Sequence, residues 1–61
     1  MQNSTAAPTT KRQLAEALAD SDVRLGVYAA TERDQAIKVW MRDGKAHLEA
    51  AYATRATRGR L

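Results

Sequence analysis

The sequence predicts a small, mainly helical domain of three helices that pairs with a second copy of itself. The chain has 61 residues and no cysteine, so neither a disulfide nor a cysteine-based zinc site can stabilise it. Alanine accounts for 13 of its 27 apolar residues, and alanine favours helices while burying little surface. Because few bulky side chains remain to form a core, we expect a homodimer.

The first helix is predicted from its start signal. Residues 1–9 are polar and contain no bulky apolar side chain after the first methionine, so we expect a disordered tail there. Thr9 or Thr10 then provides an N-cap oxygen for a helix over residues 11–20, which carries two leucines one turn apart. Everything after the tail, residues 10–61, is interpreted as one folded domain.

Residues 23–28 allow two interpretations. Bulky apolar side chains occupy every second position, at Val23, Leu25 and Val27, and this period is typical of a half-buried strand. Ser21 is also able to cap a helix that buries these three side chains together with Tyr28. We favour a short strand and keep the helix as the alternative.

A second helix is predicted over residues 32–43. Thr31 and Asp34 have the spacing of a capping box, and Gly44 follows the last turn as a stop signal. This helix carries an apolar stripe, which we predict to be the dimer interface. The stripe consists of Ile37, Trp40 and Met41.

A third helix is predicted over residues 45–58, where alanine is frequent and Gly59 follows as a stop signal. Asp43 and Gly44 also form a dipeptide that is typical of hairpin turns, so a β-hairpin is the alternative at this point. The residues that follow Gly44 include several alanines, which are poor strand formers. We therefore favour the helix.

The predicted strand and the two helices after it resemble the layout of ribbon-helix-helix DNA-binding proteins. In that family two chains pair their strands into a ribbon, and outward side chains of the ribbon read base edges in the major groove. The resemblance implies that Arg24 and Tyr28 face the groove and that Lys45 lies near phosphate.

Charge divides the chain into two parts. Residues 1–37 have a balance of −1, whereas residues 38–61 contain six cations and two acids. A basic segment is typical of phosphate binding, although cations near helix C-termini also stabilise the helix dipole. We predict a nucleic-acid-binding protein, with DNA preferred over RNA, of the kind that regulates bacterial, phage or plasmid genes. Its predicted contact residues are Arg24, Tyr28, Lys45, Arg55, Arg58 and Arg60.

An enzyme, a metal site or a cofactor is not expected. His47 is the only imidazole, and no glycine-rich phosphate loop is present. The alternative function is a protein interaction module, an inhibitor or adaptor of a larger protein, that docks through Trp40, Met41, Tyr28 and neighbouring arginines. No segment reads as a membrane span or as a secretory signal, so we expect a cytoplasmic protein.

Overall fold

The computed structural model describes residues 7–61, and these contain three α-helices and no strand. Helix α1 spans Lys11–Arg24, α2 spans Arg33–Trp40 and α3 spans Lys45–Thr57. A short 3-10 turn, Ala30–Glu32, leads into α2. The prediction of a mainly helical domain is confirmed, while most of the predicted tail lies outside the described residues.

Helix α1 begins with a reciprocal pair of caps. The Thr10 hydroxyl accepts a hydrogen bond from the backbone N–H of Gln13 at 3.1 Å, and the Gln13 side chain accepts one from the backbone N–H of Thr10 at 3.1 Å. This is a capping box with glutamine in the usual acceptor position. The predicted start of the first helix is therefore confirmed at Thr10.

The strand predicted over residues 23–28 is wrong, because α1 continues to Arg24 and a turn follows it. Gly26 has a φ of 81°, a left-handed conformation that only glycine adopts without strain. The Val27 N–H donates to the Asp22 carbonyl at 2.9 Å, and the Gly26 N–H donates to the Val23 carbonyl at 3.1 Å. These two bonds form a Schellman motif, which uses the backbone groups that a strand would have paired.

Helix α2 is shorter than the predicted helix over residues 32–43. It begins at Arg33 without a side-chain cap, so the capping box predicted between Thr31 and Asp34 is not formed. Instead, the Glu32 carboxylate accepts a hydrogen bond from the Ala29 backbone N–H at 2.8 Å and orders the 3-10 turn. The chain leaves the helix after Trp40 through a turn.

Glycine residues at the two ends of α3 play different parts. Gly44 has an extended backbone (φ −76°, ψ 161°) and is the N-cap of α3, so the alternative hairpin is not present. Gly59 has a φ of 68° and terminates α3 in a second Schellman motif, in which the Arg60 N–H donates to the Arg55 carbonyl at 2.8 Å. The predicted stop at Gly59 is confirmed.

The three helices enclose a small core to which α1 contributes the most. Its small residues Ala15 and Ala19 are fully buried, which allows the neighbouring helices to pack closely against α1. Partly buried aromatic and alanine side chains surround this core. The core residues are Leu14, Ala15, Leu18, Ala19, Ala36, Ile37 and Leu48.

Candidate functional site

A buried carboxylate joins all three helices. The Asp22 side chain, on the last turn of α1, is only 5% exposed. Its Oδ1 accepts a hydrogen bond from Arg55 Nη1 of α3 at 2.6 Å, and its Oδ2 accepts one from Trp40 Nε1 of α2 at 2.9 Å. Both carboxylate oxygens therefore have a strong donor, which compensates for the loss of water around a buried charge.

The guanidinium of Arg55 extends this network. Nη1 also lies 3.0 Å from the Ser21 hydroxyl oxygen, and the guanidinium carbon lies 5.3 Å from the centre of the Trp40 ring, a cation–π distance. The Ser21 hydroxyl in turn donates to the Arg60 carbonyl at 2.6 Å. These contacts hold the C-terminal ends of α1 and α3 together and fix the orientation of the indole.

An open cleft of about 390 Å³ lies beside this network. One part of its lining is apolar and aromatic, and the other part carries charge. His47 Nε2 lies 3.7 Å from an Asp43 carboxylate oxygen, and the rings of His47 and Trp40 are 6.2 Å apart. The lining residues are Asp22, Val27, Tyr28, Val39, Trp40, Asp43, His47 and Arg55.

The turn between α1 and the 3-10 helix exposes two bulky apolar side chains, of which Val27 lines the cleft. Leu25 is 42% exposed and Val27 is 63% exposed. In a Schellman motif the residue at the Val27 position commonly packs against a side chain in the last turns of the helix. Here the corresponding residue is Asp22, which points inward to Arg55 and Trp40, so Val27 has no such cover.

The structure separates the predicted nucleic-acid contacts into three groups. Arg24, Arg58 and Arg60 are exposed where α1 and α3 end, and we call these three residues the arginine end. Lys45 lies at the opposite end of α3, about 18 Å away along the helix axis, and is 4.0 Å from Glu49.

The other two predicted nucleic-acid contacts belong to the cleft. Arg55 is 22% exposed and is bound to Asp22, and Tyr28 lines the cleft and packs against the core. An alanine substitution at Arg55 would therefore disturb the fold itself. It cannot serve as a clean test of a phosphate contact.

The residues of the predicted dimer interface pack within a single chain. Ile37 is 2% exposed and belongs to the core, whereas Trp40 and Met41 are partly buried around it. The stripe on α2 thus faces α1 in this structure. Dimer formation itself stays a prediction.

Asp22, the central residue of the site, is not among the site residues predicted from the sequence. The first helix is predicted to end at residue 20, and this prediction leaves Asp22 outside the helix. Because α1 continues to Arg24, Asp22 follows Leu18 by four residues within the helix and lies on the same buried face. The spacing of Leu14, Leu18 and Asp22 was the available signal.

A second ion pair supports the scaffold away from the cleft. Arg33 of α2 donates two hydrogen bonds to the two carboxylate oxygens of Asp20 of α1. The hydrogen bond from Arg33 holds the pKa of Asp20 below its usual value, and the positive charges of Arg33 and Arg24 act in the same direction. The same contact raises the pKa of Arg33.

Residues 7–61 contain no group of three or more side chains arranged to hold a metal ion. No helix within this part of the chain has the length and apolar character needed to cross a bilayer. Comparison of the sequence and the fold with protein-family models, curated proteins and solved structures produced no match.

Proposed function

We propose that this protein is a small interaction module that docks on another protein through the cleft and the adjoining turn. The observation that carries the proposal is the exposure of Val27, at 63%, beside a cleft lined by Tyr28, Val39 and Trp40. Bulky apolar and aromatic side chains around a recess with a few polar groups are typical of binding hot spots.

The buried network supports this proposal by fixing the orientation of Trp40 at the cleft. Trp40 is held by a hydrogen bond to Asp22 and by the guanidinium of Arg55 on its ring. A side chain that is already ordered loses little conformational entropy when a partner binds, so more of the contact energy appears as affinity. Trp40 is accordingly the preformed part of this surface.

Nucleic-acid binding is a second candidate, and the arginine end supports it. Arg24, Arg58 and Arg60 are exposed, and no acidic side chain of the described chain lies within ion-pair distance of them. The chain also has a net charge of +3. These arginines, however, lie at helix C-termini, where the dipole is negative and attracts cations in any protein. Phosphate is favoured at the opposite ends of helices, so we rank this candidate second.

Two sets of surface substitutions separate the candidates. In the first set, Leu25→Ser and Val27→Ser are combined to make the turn polar. In the second, Arg58→Ala and Arg60→Ala are combined to remove charge from the arginine end. Both sets change exposed side chains, so thermal unfolding should remain close to that of the unmodified chain.

The protein and its variants are then used as bait in nuclease-treated extracts of the cells that express it. We expect a protein that is retained by the unmodified chain and by the arginine variant, but lost with the polar turn. A bound protein that is insensitive to the turn would contradict the docking proposal. The second candidate would be favoured if the unmodified chain binds duplex DNA and the arginine variant does not. For three phosphate contacts, the logarithm of the binding constant should then fall with the logarithm of the salt concentration with a slope of about −2 to −3.

A further inference from the structure

The charged groups that line the cleft do not cancel. Asp22 and Arg55 neutralise each other at 2.6 Å. The remaining carboxylate is that of Asp43, which is 50% exposed, and its only ion-pair partner in residues 7–61 is His47 at 3.7 Å. Histidine is a cation only when both ring nitrogens carry protons. With a neutral His47 the cleft is locally acidic, on a chain whose overall charge is +3.

Two aromatic rings line the same cleft as this carboxylate. Tyr28 and Trp40 line the cleft together with Asp43, and Val27 and Val39 complete its apolar part. An aromatic face attracts cations, and the alkyl stem of lysine or arginine packs well on apolar surface. The Trp40 ring already holds one guanidinium, that of Arg55, at 5.3 Å. The lining therefore combines the features that favour a long basic side chain.

On the basis of the proposed function, we propose that the cleft recognises a lysine or arginine side chain of the partner protein. The carboxylate of Asp43 is its ionic contact, and the stem packs against Val27 and the aromatic rings. Charge complementarity selects this occupant, because an acidic recess repels phosphate and acidic peptides alike. The arginine end and the cleft thus have opposite electrostatic preferences on one small domain.

The test uses a library of random dodecapeptides displayed on phage and selected on the full chain. Affinities of the selected peptides are measured by the fluorescence of Trp40, the only tryptophan in the sequence. We expect enriched peptides to contain lysine or arginine next to apolar residues. Replacing that basic residue by norleucine in a synthetic peptide, which keeps the stem and removes the charge, should weaken binding about three- to fivefold.

Variants of the protein test the Asp43 side of the same contact. Asp43→Asn should weaken binding of the basic peptide about three- to fivefold, as expected for a half-exposed ion pair. Asp34→Asn removes the same charge from an exposed position on α2 outside the cleft lining and should leave affinity unchanged. His47→Lys places a fixed cation beside Asp43 and should weaken binding at least as much.

The outcomes distinguish this inference from the function on which it rests. Selected peptides that need Val27 but contain no basic residue, or that are indifferent to Asp43→Asn, would overturn the inference and leave the docking function intact. Selection of no peptide that depends on Val27 would overturn both. A homodimer that dissociates on Asp43→Asn would assign the cleft to a second copy of the chain, and this result would also overturn the inference.

Discussion

Asp22 and Arg55 meet at 2.6 Å, and both occupy the same position in the C-terminal cap of a helix. The Asp22 carbonyl accepts the long bond of the Schellman motif that ends α1, and the Arg55 carbonyl accepts the equivalent bond at the end of α3. The two side chains then pair with each other. One pair of residues thus terminates two helices, joins them and orients Trp40 at the wall of the cleft.

We predict that Arg55→Ala destabilises the protein by about 2–4 kcal/mol, because it leaves the buried Asp22 carboxylate without its ionic partner. A domain of this size has only a few kcal/mol of stability, so much of the population should unfold. Arg58→Ala is the matched control, since Arg58 is exposed, and should change stability by no more than about 0.5 kcal/mol. Urea unfolding followed by circular dichroism measures both, and equal midpoints would contradict the role assigned to Asp22.

Alanine substitutions at the two left-handed glycines should each cost about 1 kcal/mol. Gly26 and Gly59 have φ values of 81° and 68°, and a Cβ at either position is strained by its own backbone although no neighbouring atom obstructs it. Gly44 provides the contrast, because it is an N-cap in extended conformation and Gly44→Ser should stabilise by a few tenths of a kcal/mol. Thermal midpoints show whether each substitution stabilises or destabilises the protein. If Gly26→Ala left the midpoint unchanged, the turn would have a different backbone conformation.

The ion pair between Asp20 and Arg33 should make a small, pH-dependent contribution to stability. The folded-state pKa of Asp20 is lowered, so the contribution is present above the unfolded-state value of about 3.9 and is lost as the pH falls through the folded pKa. Because both side chains are about two-fifths exposed, we expect only a few tenths of a kcal/mol at neutral pH.

Asp20→Asn tests this contribution when its urea midpoint is compared with that of the unmodified chain across the acid range. The difference between the two proteins should be present at pH 7 and should shrink below about pH 4. Arg33→Gln should show the same loss at neutral pH and little further loss in the double variant. If the difference in urea midpoint between the unmodified chain and Asp20→Asn grew as the pH falls, this would contradict the direction of the Asp20 pKa shift.

The homodimer predicted from the small core is tested by the dependence of stability on concentration. Sedimentation equilibrium at micromolar concentration should give about twice the chain mass, and the thermal midpoint should rise with protein concentration. Ile37 is not used as the probe, because its substitution damages the core of one chain. A monomer with a midpoint that is independent of concentration would contradict this prediction and show that the core of Leu14, Leu18, Ile37 and Leu48 is sufficient.

Local signals predicted the start of α1 and the end of α3 correctly, whereas the capping box predicted between Thr31 and Asp34 did not form. The start of α1 depends on Thr10 and Gln13, and the end of α3 depends on Gly59 after its last turn. Both signals lie within the range of capping hydrogen bonds, which join residues about four positions apart. The strand predicted over residues 23–28 is wrong because an alternating pattern alone does not show whether its apolar side chains are buried. Its alternation of apolar residues was real, but Gly26 turns the chain and the apolar side chains of that turn remain in solvent.

Composition and local patterns in the sequence are enough to predict a mainly helical chain that is rich in alanine, basic towards its C-terminus and without disulfides. Which charges are available for binding depends on how the helices pack. Arg55 and Arg58 are both arginines near the end of the same helix, yet Arg55 is bound to a carboxylate 33 residues away and Arg58 is exposed. Helix propensity depends on neighbours within a turn, whereas burial and pairing depend on which helix faces which. The cleft beside Trp40 therefore depends on the packing of three helices around Asp22, and local sequence patterns do not predict it.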